Sequence, residues 1–200
     1  MSTKGDLTRQ NIIEKSMQLF SVKGYFNTSI ADIVKAAGLT KGGLYGHFPN
    51  KQEIWYAVYE ECVRVWKSVV FQGVRDLTDP LERLARVIKN SLKDYLGGDI
   101  FAGGCFLCNS LVDFAGQSPT MSNHVLKGFQ AFAALLRLWL EEAEQRGMLR
   151  EGLNLQEIAT FLMISLNGAA PLYAASKDPA IWRQTMGQLY FYINTLRKET

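Results

Sequence analysis

The sequence predicts an all-α protein with two parts, an N-terminal three-helix helix-turn-helix domain and a larger C-terminal helical domain. Apolar residues recur every three or four positions along most of the chain, and no stretch alternates with the period of two expected of a strand. Glycines and Asp-Pro pairs separate these periodic stretches, as expected at helix ends and starts. We place the domain boundary after residue 51, giving domains of residues 1–51 and 52–200.

The segment 29–51 predicts a helix-turn-helix. Its first helix is indicated by four apolar residues at i, i+3, i+4 and i+7, namely Ile30, Ile33, Val34 and Ala37. Gly38 ends this helix, Thr40 caps a second one, and Pro49 closes the segment. Two short helices joined by a tight glycine turn are typical of a DNA-binding motif.

Polar and small residues remain for the surface once the apolar residues of this motif are buried. They include no acid, and they offer hydroxyls, an ammonium group, an imidazole and bare backbone, which contact phosphates and base edges in DNA. An ordinary helical corner without a ligand is the alternative. We predict DNA binding through Thr28, Ser29, Thr40, Lys41, Gly42, Gly43, Tyr45, His47 and Lys51.

The same segment resembles the N-terminal signature of TetR/AcrR-family repressors. The resemblance covers residues 28–33 and 36–51 and includes Phe20, Gly24 and Tyr25 of the preceding helix. It implies a transcriptional repressor that binds a palindromic double-stranded DNA operator and leaves it when a small-molecule effector binds. Gly43 and Gly46 differ from the residues common in the family, so the bases that are read stay open.

The charge distribution supports a DNA-binding N-terminus. The net charge of the chain is +3, but residues 1–51 contain seven Lys or Arg against three Asp or Glu, which gives +4. The remaining residues contain fifteen against sixteen, which gives −1. The positive field therefore lies with the helix-turn-helix, as a phosphate-binding surface requires.

The composition predicts a soluble cytoplasmic protein with no membrane partner. The first ten residues lack the apolar core of a secretory signal, and three cysteines suit a reducing compartment better than a disulfide framework. Residues 158–176 are uncharged and approach spanning length, but their polar residues and a proline favour a helix buried by protein.

Seven further helices are predicted from periodicity and capping residues. Their limits are 8–23, 52–73, 79–97, 105–116, 118–146, 154–176 and 178–196. Helix 52–73 is apolar on two sides and starts at the helix-turn-helix, so we expect it to join the two domains. The glycine-rich stretch 97–104 lacks the ending and the preceding strand of a phosphate-binding loop, and it predicts a flexible connection.

The last two helices are expected to form a homodimer interface through residues 155–197. They are apolar on more surface than one core covers, and small residues at Ala159, Ser165, Gly168 and Ala169 would let another helix approach closely. The family resemblance implies the same interface, built from the last two helices of each subunit. The alternative is that both helices pack only on their own core.

The C-terminal domain is predicted to bind an apolar or aromatic effector between its helices. Pocket candidates are Phe101, Cys105, Cys108, Asn109, Phe132, Leu136 and Trp139, with Asn167 and Tyr173 as polar groups. Plain core packing is the alternative for these residues.

The pair Cys105-x-x-Cys108 at a helix start permits a second hypothesis, a thiol- or electrophile-sensing regulator, because a helix N-terminus lowers a thiol pKa. A thiol-dependent enzyme would need a base, and only His124 is available in this domain. Two thiols and one histidine do not complete a zinc site. We therefore predict no catalytic residue, no metal and no cofactor.

Overall fold

A computed structural model describes residues 3–101 and 103–198, and among these residues it contains nine α-helices, one π-helical segment and no strand. The helices are α1 (Lys4–Lys23), α2 (Ile30–Ala37), α3 (Lys41–Tyr45), α4 (Lys51–Val70), α5 (Pro80–Lys89), the π-helical segment (Asn90–Leu96), α6 (Phe106–Phe114), α7 (Pro119–Gln145), α8 (Leu155–Ser176) and α9 (Ala180–Thr195). The prediction of an all-α fold is confirmed. The outer ends of the two predicted domains, residues 1–2 and 199–200, lie outside the described residues.

Helix α1 begins at Lys4, four residues before the predicted start. The Thr3 hydroxyl accepts a hydrogen bond from the Asp6 amide (3.1 Å), and the Asp6 carboxylate accepts one from the Thr3 amide (2.9 Å). This reciprocal capping supports a first turn that buries no apolar residue, since Leu7 is exposed. Apolar periodicity could not detect such a turn.

The helix-turn-helix forms as predicted, and local capping fixes both of its helices. The Ser29 hydroxyl accepts from the Asp32 amide at the start of α2, and the Thr40 hydroxyl accepts from the Gly43 amide at the start of α3, each at 3.1 Å. Gly38 between them has a left-handed backbone with φ of 66°. The motif is therefore held by contacts between residues three positions apart.

Helix α4 packs against α1 and also against α6 and the π-helical segment, so it contacts both of the predicted domains. It ends at Val70, three residues earlier than predicted. The buried Asn90 side chain donates hydrogen bonds to the carbonyl oxygens of Val70 and Gln72, both at 3.0 Å, and so satisfies groups at the end of α4. The predicted helix 79–97 is divided between α5 and the π-helical segment.

The glycine-rich connection before α6 is tightly packed, which corrects the prediction of a flexible loop. A methyl group added to Gly103 would overlap the carbonyl oxygen of Ser21 in α1. One added to Gly104 would lie 2.6 Å from the Ala174 Cβ in α8. The two glycines therefore permit the close approach of α1 and α8 to this loop.

Helix α8 packs between α7 and α9. Its length and composition would suffice to cross a membrane, with a mean hydropathy of 1.4, and 39% of that window is buried inside the protein. Less than half of the predicted protein-buried helix is thus buried within one chain.

Candidate nucleic-acid interface and effector cavity

The outer side of α3 presents five of the predicted DNA-binding residues, and we call it the α3 surface: Thr40, Lys41, Gly42, Gly43 and Tyr45, all exposed. Leu44 between them is fully buried and anchors the helix. A methyl group added to Gly42 would meet no atom within 4 Å, so the backbone is open there. Within the described residues, no carboxylate lies within 4.0 Å of the Lys41 ammonium group, which leaves this cation free for a phosphate.

Ser29 and His47 lie beside the α3 surface. Ser29 is exposed, and its hydroxyl donates to the Asp32 carboxylate (2.8 Å). His47 is half-buried and faces the start of α1, where a methyl group on Gly5 would lie 4.0 Å from the imidazole Cε1. Both side chains are at the rim of this surface.

Thr28 does not face a DNA partner, contrary to the sequence-based prediction. Its side chain is fully buried, and its hydroxyl donates a hydrogen bond to the Gly24 carbonyl oxygen (2.7 Å). Thr28 and Ser29 are both residue types that cap helices, and only the structure shows that Ser29 caps α2.

Lys51 is half-buried and its ammonium group has partners within the chain, while its predicted contact with a phosphate stays a prediction. Its ammonium group donates to the carbonyl oxygens of Tyr25 (2.9 Å) and Thr28 (3.0 Å) and lies 4.1 Å from the centre of the Tyr25 ring. Burial lowers the pKa of Lys51, and the nearby Asp113 carboxylate opposes that effect. The lysine thus holds the loop between α1 and α2 against the start of α4.

The same loop is held by the end of α6, which sequence reasoning did not identify. The Asp113 carboxylate accepts a hydrogen bond from the Tyr25 amide (2.7 Å). The Phe114 ring lies 5.4 Å from Tyr25 and 5.9 Å from Phe26 between centroids. We call these residues, Tyr25, Phe26, Lys51, Asp113 and Phe114, the α6 junction. It connects the loop that precedes the helix-turn-helix to the helix at whose start the cysteine pair lies.

A cavity of about 1130 Å³ lies in the C-terminal domain, with walls from α4, α5, the π-helical segment, α6, α7 and α8. Four of the predicted pocket residues line it: Cys105, Phe132, Trp139 and Asn167. Aromatic residues missed by the prediction also line it: Tyr59, Trp66, Phe71, Tyr95 and Phe129. The two-sided apolar pattern of α4 was the signal that could have identified the first two.

The other five predicted pocket residues lie outside the cavity wall. Phe101 and Leu136 are buried in the core. Asn109 donates to the Gly103 carbonyl oxygen (2.7 Å), and Tyr173 donates to the Asp99 carboxylate (3.2 Å). The Cys108 thiol donates to the Asn167 side-chain oxygen (3.2 Å) behind the wall. These five residues do not line this cavity.

Cys105 is a predicted pocket residue whose thiol pKa is lowered by its surroundings. It precedes α6, and its sulfur lies 3.8 Å from the Tyr95 hydroxyl oxygen. A hydrogen bond that the Cys108 thiol can donate in place of its bond to Asn167, together with those from the Cys108 amide, the Tyr95 hydroxyl and the Leu107 amide, outweighs burial and lowers the pKa of Cys105 to about 7. The hydrogen bond to Cys105, together with burial, raises the pKa of Cys108. Cys105 therefore supplies the thiolate of the pair.

The remaining groups considered for thiol or metal chemistry have structural contacts. The His124 ring packs against Tyr56 and Tyr59 of α4, at 5.0 and 4.7 Å between centroids. Burial raises the pKa of Cys62. Across residues 3–101 and 103–198, no three His, Cys, Asp or Glu side chains form a group that could hold a metal ion.

Two family models match the chain. Residues 12–58 match the bacterial regulatory proteins of the tetR family, and residues 80–189 match the tetracyclin repressor-like C-terminal domain. The first match continues into α4, past residue 51, so the predicted domain boundary stays a prediction.

Similar proteins and structures agree with these matches. The uncharacterized HTH-type transcriptional regulator YxaF of Bacillus subtilis (strain 168) is 30% identical, over 89% of this chain and 90% of that protein. The HTH-type transcriptional repressor DhaR of Mycobacterium sp. (strain GP1) is 26% identical, over 80% and 79%. The crystal structure of a TetR-family regulator from Cytophaga hutchinsonii superposes with a TM-score of 0.87 at 26% identity and covers both chains fully.

Proposed function

The chain belongs to the TetR family of transcriptional regulators, and on that premise we propose that it is a homodimeric repressor released from a palindromic operator by an apolar or aromatic effector. Regulators of this family bind operator DNA and small-molecule effectors and act as dimers. The observation that carries the proposal is the exposed α3 surface, which is free of acidic side chains and includes the unpaired Lys41 ammonium group.

The α3 surface supports base and phosphate contacts in the major groove. Tyr45 is 49% exposed although its neighbour Leu44 is buried, so its ring projects from the helix. The open backbone at Gly42 permits a close approach to DNA. Ser29 and His47 at the rim complete the proposed interface, whereas Thr28 and Lys51 stabilise the domain behind it.

An apolar surface on α8 and α9 supports the proposed dimer through residues 155–197. We call it the α8–α9 surface, and its large members are Phe161, Ile164, Leu172 and Phe191, which are 48%, 58%, 60% and 67% exposed. Gly168 lies in the same row of α8, one turn from both Ile164 and Leu172, and is exposed. Ala169 is buried in its own subunit, so it does not contribute to this surface. A dimer would place two α3 surfaces about one turn of duplex, near 34 Å, apart.

The cavity supports the proposed effector site because α4 and α6 both contribute to its wall, while α4 also packs on α1 and α6 contacts the loop between α1 and α2. A ligand can shift the DNA-competent population only by binding one conformation better than the other. Displacement of α4 or α6 by a ligand would change the position of the α3 surface. We propose that the effector acts through these two helices, in a cytoplasmic protein.

Selection from a random pool of duplex DNA tests the proposed function. We expect an inverted repeat to be enriched, and Tyr45→Ala and Lys41→Ala to weaken its binding, whereas Lys93→Ala, an exposed control in the π-helical segment, leaves it unchanged. Enrichment of no sequence would reject the repressor and favour another kind of binding protein.

The acidity of Cys105 favours a second mode of release, by covalent modification. Its thiolate would add to the β-carbon of an α,β-unsaturated carbonyl compound, forming a carbon–sulfur bond, and the resulting enolate would take a proton from water. N-ethylmaleimide tests this mode. We expect it to release operator DNA from the wild type and from Cys62→Ser, but not from Cys105→Ser. Release that persists in Cys105→Ser would exclude the thiol mode.

A further inference from the structure

Some polar groups of the cavity wall form ion pairs or hydrogen bonds within the chain, and others do not. The groups that lack such a partner among the described residues indicate the chemistry of the ligand. We propose that the effector is an amphipathic anion, a carboxylate with an apolar body, and that Lys67 and Arg75 receive its charge. This inference rests on the proposed function, because it names the class of molecule that occupies the same cavity.

The charged residues of the wall leave two cations uncompensated. Arg83 is paired, since its guanidinium group donates to the Glu142 carboxylate (2.7 Å), which Arg146 shares, and to the Leu77 carbonyl oxygen (2.8 Å). Lys67 and Arg75 also line the cavity as exposed side chains, and no carboxylate of the described residues lies within 4.0 Å of either. An anionic ligand would therefore bind without displacing an existing ion pair.

The acid of the cavity wall lies away from these cations. Among the described lining residues, Glu60 is the only Asp or Glu. It precedes Lys67 on α4 by seven residues, which corresponds to about 10 Å along the helix axis. Glu60 also borders a small depression that contains Arg9 and His47, so it lies at the end of the cavity nearest the helix-turn-helix. The cavity is thus polarised, with its positive charge at the far end.

The apolar part of the ligand would contact an aromatic cluster at the positive end. Trp66 precedes Lys67 in the chain, and its ring packs edge-on against Phe71 (5.4 Å) and Phe132 (5.1 Å) between centroids. Trp139 lies 6.5 Å from Phe71. Aromatic rings also attract cations, but Lys67 and Arg75 would repel a cationic ligand at the same place. The charges of the wall therefore favour an anion.

Two hydroxyl-bearing residues also line the wall. Tyr59 is only 6% exposed. The Ser91 hydroxyl oxygen, in the π-helical segment, is buried and lacks a partner in the part of the chain that the structure describes. Burial raises the pKa of Tyr59, so the phenol stays protonated and can donate. Carboxylate oxygens satisfy such donors, whereas an ammonium group cannot.

Three ligands with the same ten-carbon chain test the charge preference: decanoate, decan-1-ol and decyltrimethylammonium, each below the concentration at which it self-associates. Binding to the full-length protein without DNA is followed by tryptophan fluorescence, because Trp66 and Trp139 line the cavity. We expect decanoate to bind at least about tenfold more tightly than decan-1-ol, and the ammonium compound most weakly.

The double variant Lys67→Met/Arg75→Met should reduce the preference for decanoate to below about threefold and leave decan-1-ol binding unchanged. Lys93→Met, which removes an exposed cation outside the cavity wall, is the matched control and should keep the preference. Equal or tighter binding of decan-1-ol, a preference that survives in the double variant, or binding of none of the three compounds would each overturn the inference. Operator selection is measured separately, so failure of the ligand class is distinguishable from failure of the repressor function.

Discussion

The helix-turn-helix and the cavity region differ in how far apart in the sequence their hydrogen-bonded residues lie. In the helix-turn-helix, Ser29 bonds Asp32 and Thr40 bonds Gly43, three residues away in each case. Around the cavity, partners are far apart in the chain, as with Cys108 and Asn167, 59 residues apart. The Ser91 hydroxyl has no partner among the described residues. The first region therefore keeps its shape by local contacts, whereas the second depends on helix packing, which the proposed effector would alter.

The largest expected effect comes from a change far from the α3 surface. Ile164→Lys places a charge on the α8–α9 surface and should separate the subunits, lowering operator affinity by about a hundredfold because the two α3 surfaces no longer bind together. Sedimentation and operator binding measure the two consequences. Leu138→Lys, which alters a similarly exposed residue on α7, is the control and should leave both unchanged. A dimeric Ile164→Lys protein with full affinity would contradict the proposed interface.

Substitution of two lysines of the helix-turn-helix should affect two different properties, the free energy of unfolding and the affinity for DNA. Lys51→Met removes the donor to the Tyr25 and Thr28 carbonyl oxygens and should lower the free energy of unfolding by about 1–3 kcal/mol. Lys41→Met should change it by less than about 0.5 kcal/mol, because the side chain is exposed.

The salt dependence of operator binding provides the complementary measurement. Lys41→Met should reduce the slope of log affinity against log salt by about one, as expected for one lost phosphate contact. Lys51→Met should leave that slope unchanged under conditions in which the variant is folded. A slope that Lys51→Met lowers and Lys41→Met leaves unchanged would indicate that Lys51 contacts a phosphate.

The acidity of Cys105 predicts a specific pH profile for alkylation. With a pKa of about 7, the thiolate fraction rises about tenfold between pH 6 and pH 8 and then levels off. The rate of iodoacetamide labelling, followed by mass spectrometry at Cys105, should show the same plateau. Cys62 should label more slowly and without a plateau at pH 8, since burial raises its pKa. A Cys105 rate that still climbs tenfold per pH unit above pH 8 would contradict the lowered pKa.

The smallest expected effect tests whether the α3 surface is free of internal contacts. Gly42→Ala should raise the free energy of unfolding by about 0.5 kcal/mol, because alanine favours a helix and the added methyl group meets no neighbour. Gly38→Ala is the contrasting control and should be destabilising, since Gly38 has a left-handed backbone with φ of 66°. Denaturant unfolding measures both. Destabilisation by Gly42→Ala would indicate an unrecognised contact at this surface.

The sequence predicted the fold and the helix-turn-helix because their determinants are local. Capping residues, glycine turns and apolar periodicity all act within a few positions of the chain. The roles of Lys41 and Lys51 could not be separated in this way, because the carbonyl oxygens that bind Lys51 come from a loop 23–26 residues away. For the same reason Thr28 and Ser29 could not be distinguished as buried and exposed neighbours.

The cavity was predicted only in part, for a related reason. Periodicity identified Phe132 and Leu136 as inward-facing, but it could not show that Phe132 borders an open space and Leu136 a filled one. Tyr173 was assigned to the pocket as a polar group, yet it pairs with Asp99, 74 residues away. The shape of a cavity follows from how several helices pack, and no single segment encodes it.

Helix α6 is short enough that a small rotation would move both of its ends, one at the cavity and one at the α6 junction. Its nine residues span about 13 Å, with Cys105 at the cavity end and Asp113 at the junction end. A rotation of about 10° around the middle of such a rod moves each end by about 1 Å. The 2.7 Å hydrogen bond from the Tyr25 amide to Asp113 would be broken by a displacement of that size along its axis. A displacement no larger than a carbon–carbon bond length at the Cys105 end of α6 would thus break the Tyr25–Asp113 hydrogen bond at the other end.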